Sequence, residues 1–272
     1  SPSRPGRRTV LARSARREKG KKRSYLAMAR LLGLFEDIVW RATTEAEVPE
    51  IENAIGREVD IQVAPDLPPA SILPDFAFDE KPPKTAGKVD LIFASRIAPK
   101  KNLQFLLEQL GRITLNGLTL TIVGPVEDSD YWRACRNQIE SLSGRADVRI
   151  LGGVSNDELL ELMKRSHFFV LPTLNENFGY VFLEALAAGC PLIISENTIW
   201  SDVADRKAGF VIQLSDEKGW QAAIASAIAM EQDEYRSMSL AAREMAEEWL
   251  AKPDHETAMA RTLEYVIAKD ER

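Results

Sequence analysis

The chain has 272 residues, of which 45% are hydrophobic and 28% charged, and its formal net charge is −6. This composition is typical of an ordinary soluble globular protein with one large or two smaller domains. No apolar run reaches the roughly 18 residues of a membrane-spanning helix, and the first residues lack the apolar core of a secretory signal. Two cysteines, Cys135 and Cys190, are too few for a disulfide scaffold. We therefore expect a cytoplasmic protein.

The charge is unevenly distributed along the chain. Residues 1–30 contain eleven Lys and Arg against one acid, Glu18, and the remaining residues are acidic overall. A basic arm of this kind is either a solvated surface or a contact for nucleic acid, an anionic membrane or an acidic acceptor. Aromatic residues are not interleaved with the basic ones, which disfavours nucleic acid. We therefore predict no nucleic-acid partner and a peripheral contact of basic residues 4–30 with the inner face of a membrane.

Residues 22–86 are predicted to form part of an α/β domain. Helices are expected over Tyr25–Phe35 and Glu45–Ile55, and short strands over Asp37–Arg41 and Asp60–Val63. Two strands are too few to close a doubly wound sheet of their own. The six prolines between residues 64 and 87 predict an interdomain linker.

From residue 88 onward, short β-rich runs alternate with amphipathic stretches. Strands are expected over Lys88–Ser95, Leu118–Val123, Asp147–Leu151, His167–Leu171, Pro191–Ser195 and Gly209–Gln213. Helices are expected over Asn102–Ile113, Asp130–Leu142 and Ser155–Arg165, and two or three more finish the chain. The alternation and the apolar strands together predict an α/β fold, a parallel sheet with helices on both faces.

Ligands of such sheets bind at the carboxyl ends of the strands. This rule brings Arg96, Gly124, Gly152 and residues 175–177 to one rim. Arg96 follows a strand, and Lys101 is expected in the first turn of the next helix, where a cation opposes the helix dipole. Arg offers a planar fork and Lys a point charge, so the pair could neutralise a diphosphate without a metal ion. The alternative is an exposed basic turn.

Two glutamates lie eight residues apart in the stretch that follows the strand ending at Leu171. Glu176 is in a loop, and Glu184 is expected inside the next helix. Helical side chains tilt toward the helix N-terminus, so Glu184 leans toward the end that Glu176 borders. Free backbone N–H groups and the helix dipole favour an anion there. The sequence therefore predicts a site for the diphosphate of a sugar nucleotide, with carboxylates left for sugar hydroxyls.

The surroundings of Glu184 strengthen this prediction. Glu184 borders an apolar helical stripe that includes Phe178 and Phe182, and a carboxylate beside a core needs a partner such as a ribose diol. Gly179, at the expected helix start, allows a close approach of the backbone.

Competing motifs are absent or have a simpler explanation. No dinucleotide-binding or phosphate-loop glycine pattern occurs, and no nucleophile elbow is present. Asp128-Ser129-Asp130 spells the D-x-D of some metal-dependent glycosyltransferases, but its position favours a helix N-cap. His167 is expected in the core or at a strand edge, and His255 near a helix start. No metal site and no cofactor are expected.

These residues resemble a known family. The segment Glu176-Asn-Phe-Gly-Tyr-Val-Phe-Leu-Glu184 is similar to the E-x7-E signature of retaining GT-B glycosyltransferases, specifically the GT4 group, also called glycosyl transferases group 1. The order of Ser95-Arg96, Lys101-Asn102, Ile122-Val-Gly124, Leu151-Gly152 and Gly189-x-Pro191 agrees with the family, so the match covers about residues 88–215. Residues 20–70 resemble the final part of the family's N-terminal domain.

The resemblance implies a role for each site residue. Arg96 and Lys101 would bind the donor diphosphate beside Gly124, Glu184 would hold the ribose hydroxyls, and Glu176 would be catalytic, near the reacting sugar carbon. The backbone amides of Phe178, Gly179 and Tyr180 would approach the sugar and phosphates. It also implies a Rossmann-like, GT-B-type donor domain over residues 87–250, preceded by a basic arm, a partial N-terminal domain and a linker in residues 1–86. Residues 251–272 would form a helix that packs back on the N-terminal segment.

The implied function is a retaining hexosyltransferase that moves a sugar from a nucleotide sugar to a glycan or lipid-linked acceptor, in bacterial polysaccharide assembly. One departure limits it, because only about 85 residues precede the donor domain and no histidine lies among them. This predicts a truncated N-terminal domain. The alternatives left open are a catalytically incomplete nucleotide-sugar-binding module and another GT-B enzyme, such as a sugar-nucleotide epimerase.

Overall fold

The computed structural model describes residues 25–35, 38–65, 72–114, 117–252 and 254–270. Most of the basic arm predicted to contact a membrane, residues 4–23, therefore lies outside the described residues. The chain divides into two compact units, a smaller one drawn from Ser1–Leu67 and Asp254–Arg272 and a larger one drawn from Pro68–Pro253. None of the described helices has the length and apolar character needed to cross a bilayer.

The smaller unit contains a parallel pair of short strands. Its elements are a helix over residues 25–31 (α1), β1 (Trp40–Ala42), a 3₁₀ turn (Glu45–Glu47), α2 (Val48–Ile55), β2 (Ile61–Val63) and a C-terminal helix (Asp254–Asp270). Trp40 lies opposite Ile61 in the pair. The helix expected over Glu45–Ile55 is thus divided into a 3₁₀ turn and α2, whose first turn contains a proline.

The C-terminal helix is tied to the smaller unit at Asp60. The carboxylate of Asp60 accepts hydrogen bonds from the Tyr265 hydroxyl, at 2.9 Å, and from the Lys269 ammonium, at 3.0 Å. The bond from Lys269 lowers the pKa of Asp60, because it favours the ionised carboxyl. These contacts join the two sequence segments from which the smaller unit is built.

The larger unit is built on a six-stranded parallel sheet, as the apolar runs predict. Its strands are β3 (Val89–Ala94), β4 (Leu118–Val123), β5 (Asp147–Gly152), β6 (Phe168–Leu171), β7 (Leu192–Ser195) and β8 (Gly209–Ile212). They lie in the order β5-β4-β3-β6-β7-β8, and all neighbours are parallel. The chain reverses its direction of travel across the sheet between β3 and β6, which is where ligands of such sheets bind.

Helices cover the sheet in two layers. They are α3 (Leu103–Gly111), α4 (Ser129–Ser141), α5 (Asn156–Lys164), α6 (Tyr180–Ala187), α7 (Glu217–Ala229) and α8 (Gln232–Leu250). Helix α3 packs against α4 and α7, and α6 packs against α5 and α8. Leu91, Phe169 and Ile193 of the central strands are fully buried. The predicted α/β fold with helices on both faces is therefore confirmed.

Residues 72–87, which their prolines predict to be a linker, belong to the larger unit. Phe78 is buried against Tyr235 of α8, with ring centroids 5.8 Å apart. The ammonium of Lys81 donates to the carbonyls of Lys164 and Ala188, at 3.1 Å each, where α5 and α6 end. Burial lowers the pKa of Lys81 to about 8. This proline-rich segment is therefore attached to the larger unit by the buried contacts of Phe78 and Lys81.

Candidate functional site

A cavity of about 310 Å³ opens at the carboxyl edge of the large sheet, where β3, β4 and β6 end. Residues that follow four strands line it, among them Arg96, Gly124, Gly153 and Glu176. Parallel strands all end at the same edge, which is why segments far apart in sequence meet here. The fold thus brings Arg96, Gly124 and Glu176 to one edge of the sheet, as their positions after strands predict.

Gly124 closes the end of β4 against the end of β3. Its φ is +137°, and a Cβ at this position would collide with the carbonyl oxygen of Ser95. The Gly124 N–H donates to the carbonyl of Gly152, at 2.7 Å, and this bond joins the ends of β4 and β5. Only glycine allows the strands to approach this closely while their ends line the cavity.

Arg96 lies at the cavity mouth. Its guanidinium forms an ion pair with Glu127 at 2.9 Å, and both side chains are exposed. An exposed pair of this kind contributes little free energy, so an incoming anion could replace Glu127 at small cost.

Lys101 does not open a helix, and the prediction that it opposes a helix dipole is wrong. Lys101 ends a 3₁₀ turn, Pro99–Lys101, and α3 begins only after Asn102, which has a φ of +60°. The Lys100 carbonyl accepts hydrogen bonds from the Leu174 N–H, at 2.9 Å, and from the Thr173 hydroxyl, at 3.2 Å. These bonds attach the turn to the loop that carries Glu176.

Lys101 and Glu176 form an ion pair inside the cavity. The two side chains are only 10% and 16% exposed, so water screens their attraction less than at the surface. Sequence patterns suggested separate roles for the two residues, a cation for the diphosphate and a carboxylate for the sugar. The structure places them in direct contact. The Glu176 carboxylate therefore competes with a diphosphate for Lys101, and the Lys101 ammonium competes with a sugar hydroxyl for Glu176.

Glu184 lines the same cavity from the second turn of α6. Its side chain is buried, and burial raises the pKa of its carboxyl. The prediction that Glu176 and Glu184 face one spot agrees with this lining.

The turn before α6 differs in part from the prediction. Gly179, with a φ of +71°, is the N-cap residue, and α6 begins at Tyr180. Gly179 and Tyr180 line the cavity, whereas the Phe178 side chain is buried among Tyr180, Trp200 and Trp249. Phe178 therefore precedes the helix and is not part of its apolar stripe, because the left-handed glycine turns the chain between them.

Two residues that fix this loop escaped the sequence analysis. The Glu176 N–H donates to the Asn197 carbonyl, at 3.0 Å, and the Trp200 Nε1–H donates to the Phe178 carbonyl, at 2.8 Å. Both partners lie in the loop after β7. Trp200 belongs to no recognisable sequence motif, so the sequence offered no signal for its contact with Phe178.

Other polar residues singled out in the sequence have structural positions. Asp128 is the N-cap of α4 and accepts the Tyr131 N–H at 2.9 Å, which confirms the N-cap interpretation. His167 is buried, as predicted, and its Nδ1 accepts the Asp90 N–H at 2.9 Å. The His255 side chain lies outside the described residues. Among the residues that are described, no group of three or more His, Cys, Asp or Glu could hold a metal ion.

Comparison with curated proteins shows similarity to sugar-transferring enzymes. The glycogen synthase of Mycobacterium tuberculosis is 31% identical over 156 residues, which are 56% of this chain and 37% of that protein. The O-antigen chain mannosyltransferase RfbU of Salmonella typhimurium is 32% identical over 96 residues, 35% of this chain and 27% of that protein. The matched part thus spans less than two fifths of either relative.

Solved structures share the fold at low sequence identity. Anabaena Alr3699/HepE, crystallised with UDP and glucose, has a TM-score of 0.70 at 19% identity, over 89% of this chain and 67% of that chain. WaaG, a glycosyltransferase involved in lipopolysaccharide biosynthesis, has a TM-score of 0.62 at 16% identity, over 81% of this chain and 60% of that chain.

The family model described as "Glycosyl transferases group 1" matches residues 75–245. This range lies within the larger unit and contains every residue that lines the cavity. It covers more than half of the 272 residues. The chain belongs to the glycosyl transferases group 1 family.

Proposed function

We propose that the chain is the donor-binding half of a retaining, metal-independent glycosyltransferase that takes a hexose from a nucleoside-diphosphate sugar. One observation carries the proposal: two cations, Arg96 and Lys101, and two carboxylates, Glu176 and Glu184, line one cavity at the carboxyl edge of the sheet. Cations suit a diphosphate, and carboxylates suit sugar hydroxyls.

Each residue has a role in the proposed reaction. Arg96, Lys101 and the N–H groups at the start of α6 hold the leaving diphosphate and stabilise the charge that develops on it. Glu176 faces the donor sugar near the reacting carbon. The buried Glu184 carboxylate accepts hydrogen bonds from the ribose hydroxyls, and a buried carboxylate requires such bonds.

We propose a glycan or lipid-linked acceptor and a role in bacterial polysaccharide assembly. Two of the similar proteins support this, since their names refer to an O-antigen chain and to lipopolysaccharide biosynthesis. Basic residues 4–30 would hold the protein at an anionic membrane. The described residues at the end of the arm and directly after it agree with such a contact, because Met28, Leu31 and Leu32 are exposed.

Membrane contact can be measured directly. Vesicles of phosphatidylglycerol and phosphatidylcholine should sediment the protein at low salt, and pure phosphatidylcholine vesicles should not. Equal binding to both would contradict the electrostatic contact.

A second candidate is a module that binds nucleotide sugars without transferring them. The smaller unit favours this alternative, because its described residues contain only one pair of strands. Donor hydrolysis or transfer by the purified chain would exclude it, whereas donor binding without any turnover would support it.

Donor binding is tested by calorimetry with UDP-, GDP- and ADP-linked sugars. Arg96→Ala and Lys101→Ala should each weaken the affinity of the best ligand roughly 10- to 100-fold, because a hydrogen bond to a charged group contributes about 1.5–3 kcal/mol. Arg133→Ala and Lys164→Ala are matched controls, since each removes a cation that pairs with an acid outside the cavity.

The outcomes separate the candidates. Loss of affinity in the first two variants, with unchanged affinity in the controls, supports the proposal. Equal affinity in all four variants, or no binding of any nucleotide sugar by the unaltered protein, would sink it.

A further inference from the structure

Trp200 lies beside the candidate site without lining its cavity. The residue follows β7 and is only 2% exposed. Its Nε1–H donates to the Phe178 carbonyl at 2.8 Å. This carbonyl directly precedes Gly179, so the bond fixes the point at which the loop turns into α6.

A second hydrogen bond attaches the same two loops. The Glu176 N–H donates to the Asn197 carbonyl at 3.0 Å. The two bonds hold the ends of the three-residue stretch 176–178, directly before Gly179, and neither Asn197 nor Trp200 lines the cavity. The stretch that presents Glu176 and Gly179 is therefore supported from the loop after β7.

Aromatic packing extends the support to the cavity wall. The Phe178 ring lies 5.6 Å from the Trp200 ring in an edge-to-face contact, and 4.6 Å from the ring of Tyr180. Tyr180 lines the cavity. A displacement of Trp200 would thus reach Tyr180 through a single intervening ring.

We infer that Trp200 is a positioning residue for the sugar-binding part of the site. Its indole N–H holds the Phe178 carbonyl, and through it Glu176, Gly179 and Tyr180, in the places where they line the cavity. Of the groups that would hold the diphosphate, the N–H groups at the start of α6 depend on this bond, whereas Arg96 and Gly124 follow other strands and do not. The inference rests on the proposed function, which makes the cavity a site for a nucleotide sugar.

The test is Trp200→Phe, which keeps an aromatic ring and removes the N–H donor. Trp220→Phe is the matched control, because Trp220 is also fully buried, packs edge-to-face on Phe105 and donates its Nε1–H to the Gln213 carbonyl at 3.2 Å. Trp220 does not line the cavity. Both variants should lower the melting temperature similarly.

Trp200→Phe should weaken binding of the nucleotide sugar about fivefold, the value of one lost hydrogen bond. The affinity for the nucleoside diphosphate alone should fall by a smaller factor, about twofold, because Arg96 follows another strand and keeps its place. Trp220→Phe should change neither affinity. A merely structural role for Trp200 would instead affect both ligands alike, in proportion to the loss of stability. That result, or an unchanged affinity for the nucleotide sugar, overturns the inference.

Hydrogen exchange tests the same inference without a ligand. The amides of residues 176–180 should exchange faster in Trp200→Phe than in Trp220→Phe, and equal exchange overturns the inference. If the unaltered protein binds no nucleotide sugar, the proposed function fails while this measurement still decides the role of Trp200. Trp200→Met, whose flexible side chain fills the space without an N–H donor, replaces Trp200→Phe if that variant does not fold.

Discussion

The two units of the chain differ in how many of their large apolar side chains are buried. In the larger unit, Leu91, Phe169 and Ile193 are completely buried between two helical layers. In the smaller unit, Leu31 is 88% and Ile267 59% exposed, and two strands of three residues form the sheet. A parallel sheet is stable when both faces are covered, and the larger unit meets this condition by itself.

The candidate cavity and the most fully buried strands lie in the same unit. All the residues that line the candidate cavity lie in the larger unit. The central strands that hold them are also the best-buried of the strands in the described residues. Substitutions should therefore have large effects in the larger unit and small effects on the outward surface of the smaller one.

The largest effect should come from Phe169→Ala. Phe169 is fully buried in β6 and packs edge-to-face on Phe182 of α6, with ring centroids 5.6 Å apart. Its truncation leaves a cavity and should lower the free energy of unfolding by about 3–5 kcal/mol. Urea denaturation followed by circular dichroism measures the loss. A cost below about 1 kcal/mol would show that the sheet is not the tightly packed core described above.

A smaller loss is expected from Lys81→Met. The variant removes the buried ammonium that donates to the carbonyls of Lys164 and Ala188. Unpaired buried carbonyls should lower the free energy of unfolding by about 1–3 kcal/mol, reduced in part by the removal of a buried charge. Limited proteolysis should then cut within residues 72–87. A variant as stable and as resistant as the unaltered protein would mean that this segment is only loosely attached.

Glu184→Gln should stabilise the larger unit. Burial raises the pKa of Glu184 above its ordinary value of 4.5, so the folded protein binds this proton more readily than the unfolded chain. Stability from this carboxyl is therefore lost as the pH rises from 4.5 through the folded-state pKa.

Removing the titration should raise the free energy of unfolding at pH 7 by ~0.5–2 kcal/mol, while nucleotide-sugar binding weakens. The gain should disappear below pH 4.5, where the carboxyl is protonated in both states. Thermal unfolding at pH 4 and pH 7 provides the comparison. A variant that is less stable at pH 7 would argue that Glu184 has a stabilising partner within the protein.

The smallest effect is expected on the outer surface of the smaller unit. Leu31→Gln changes a side chain that is 88% exposed and should alter the free energy of unfolding by less than about 0.5 kcal/mol. Ala29→Gln, at a buried position of the same helix, is the contrasting variant and should destabilise. Equal losses from both would indicate that Leu31 is covered in solution, and the contrast between the units would fail.

The sequence was a reliable guide where local patterns decide the outcome. The expected runs located all six strands of the large sheet to within one or two residues. The apolar pattern was clearest for β3, β6 and β7, because parallel strands that are buried on both faces are apolar along almost their whole length. The Ser155 cap was also predictable, since its hydroxyl accepts the Glu158 N–H at 3.3 Å, a contact three residues along the chain.

Features that depend on distant contacts were not predictable. Asn102 adopts a left-handed conformation and separates Lys101 from α3, which no helical pattern reveals. Lys81 is part of a proline-rich segment, and only the fold brings it to the ends of α5 and α6. Trp200 meets the Phe178 carbonyl across 22 residues of sequence. The contacts of Lys81 and Trp200 are set by tertiary packing rather than by neighbouring residues.

The ion pair between Lys101 and Glu176 gives the cavity a resident counter-ion. Any anion that reaches Lys101 must displace a carboxylate that is tethered beside it and therefore present at a high effective concentration. A free monoanion competes poorly under these conditions, whereas a ligand that also engages Arg96 gains a second contact. The same exchange releases Glu176 at the moment that Lys101 changes partner. The pair would thus favour ligands with two linked anionic groups over the inorganic anions that are abundant in a cell.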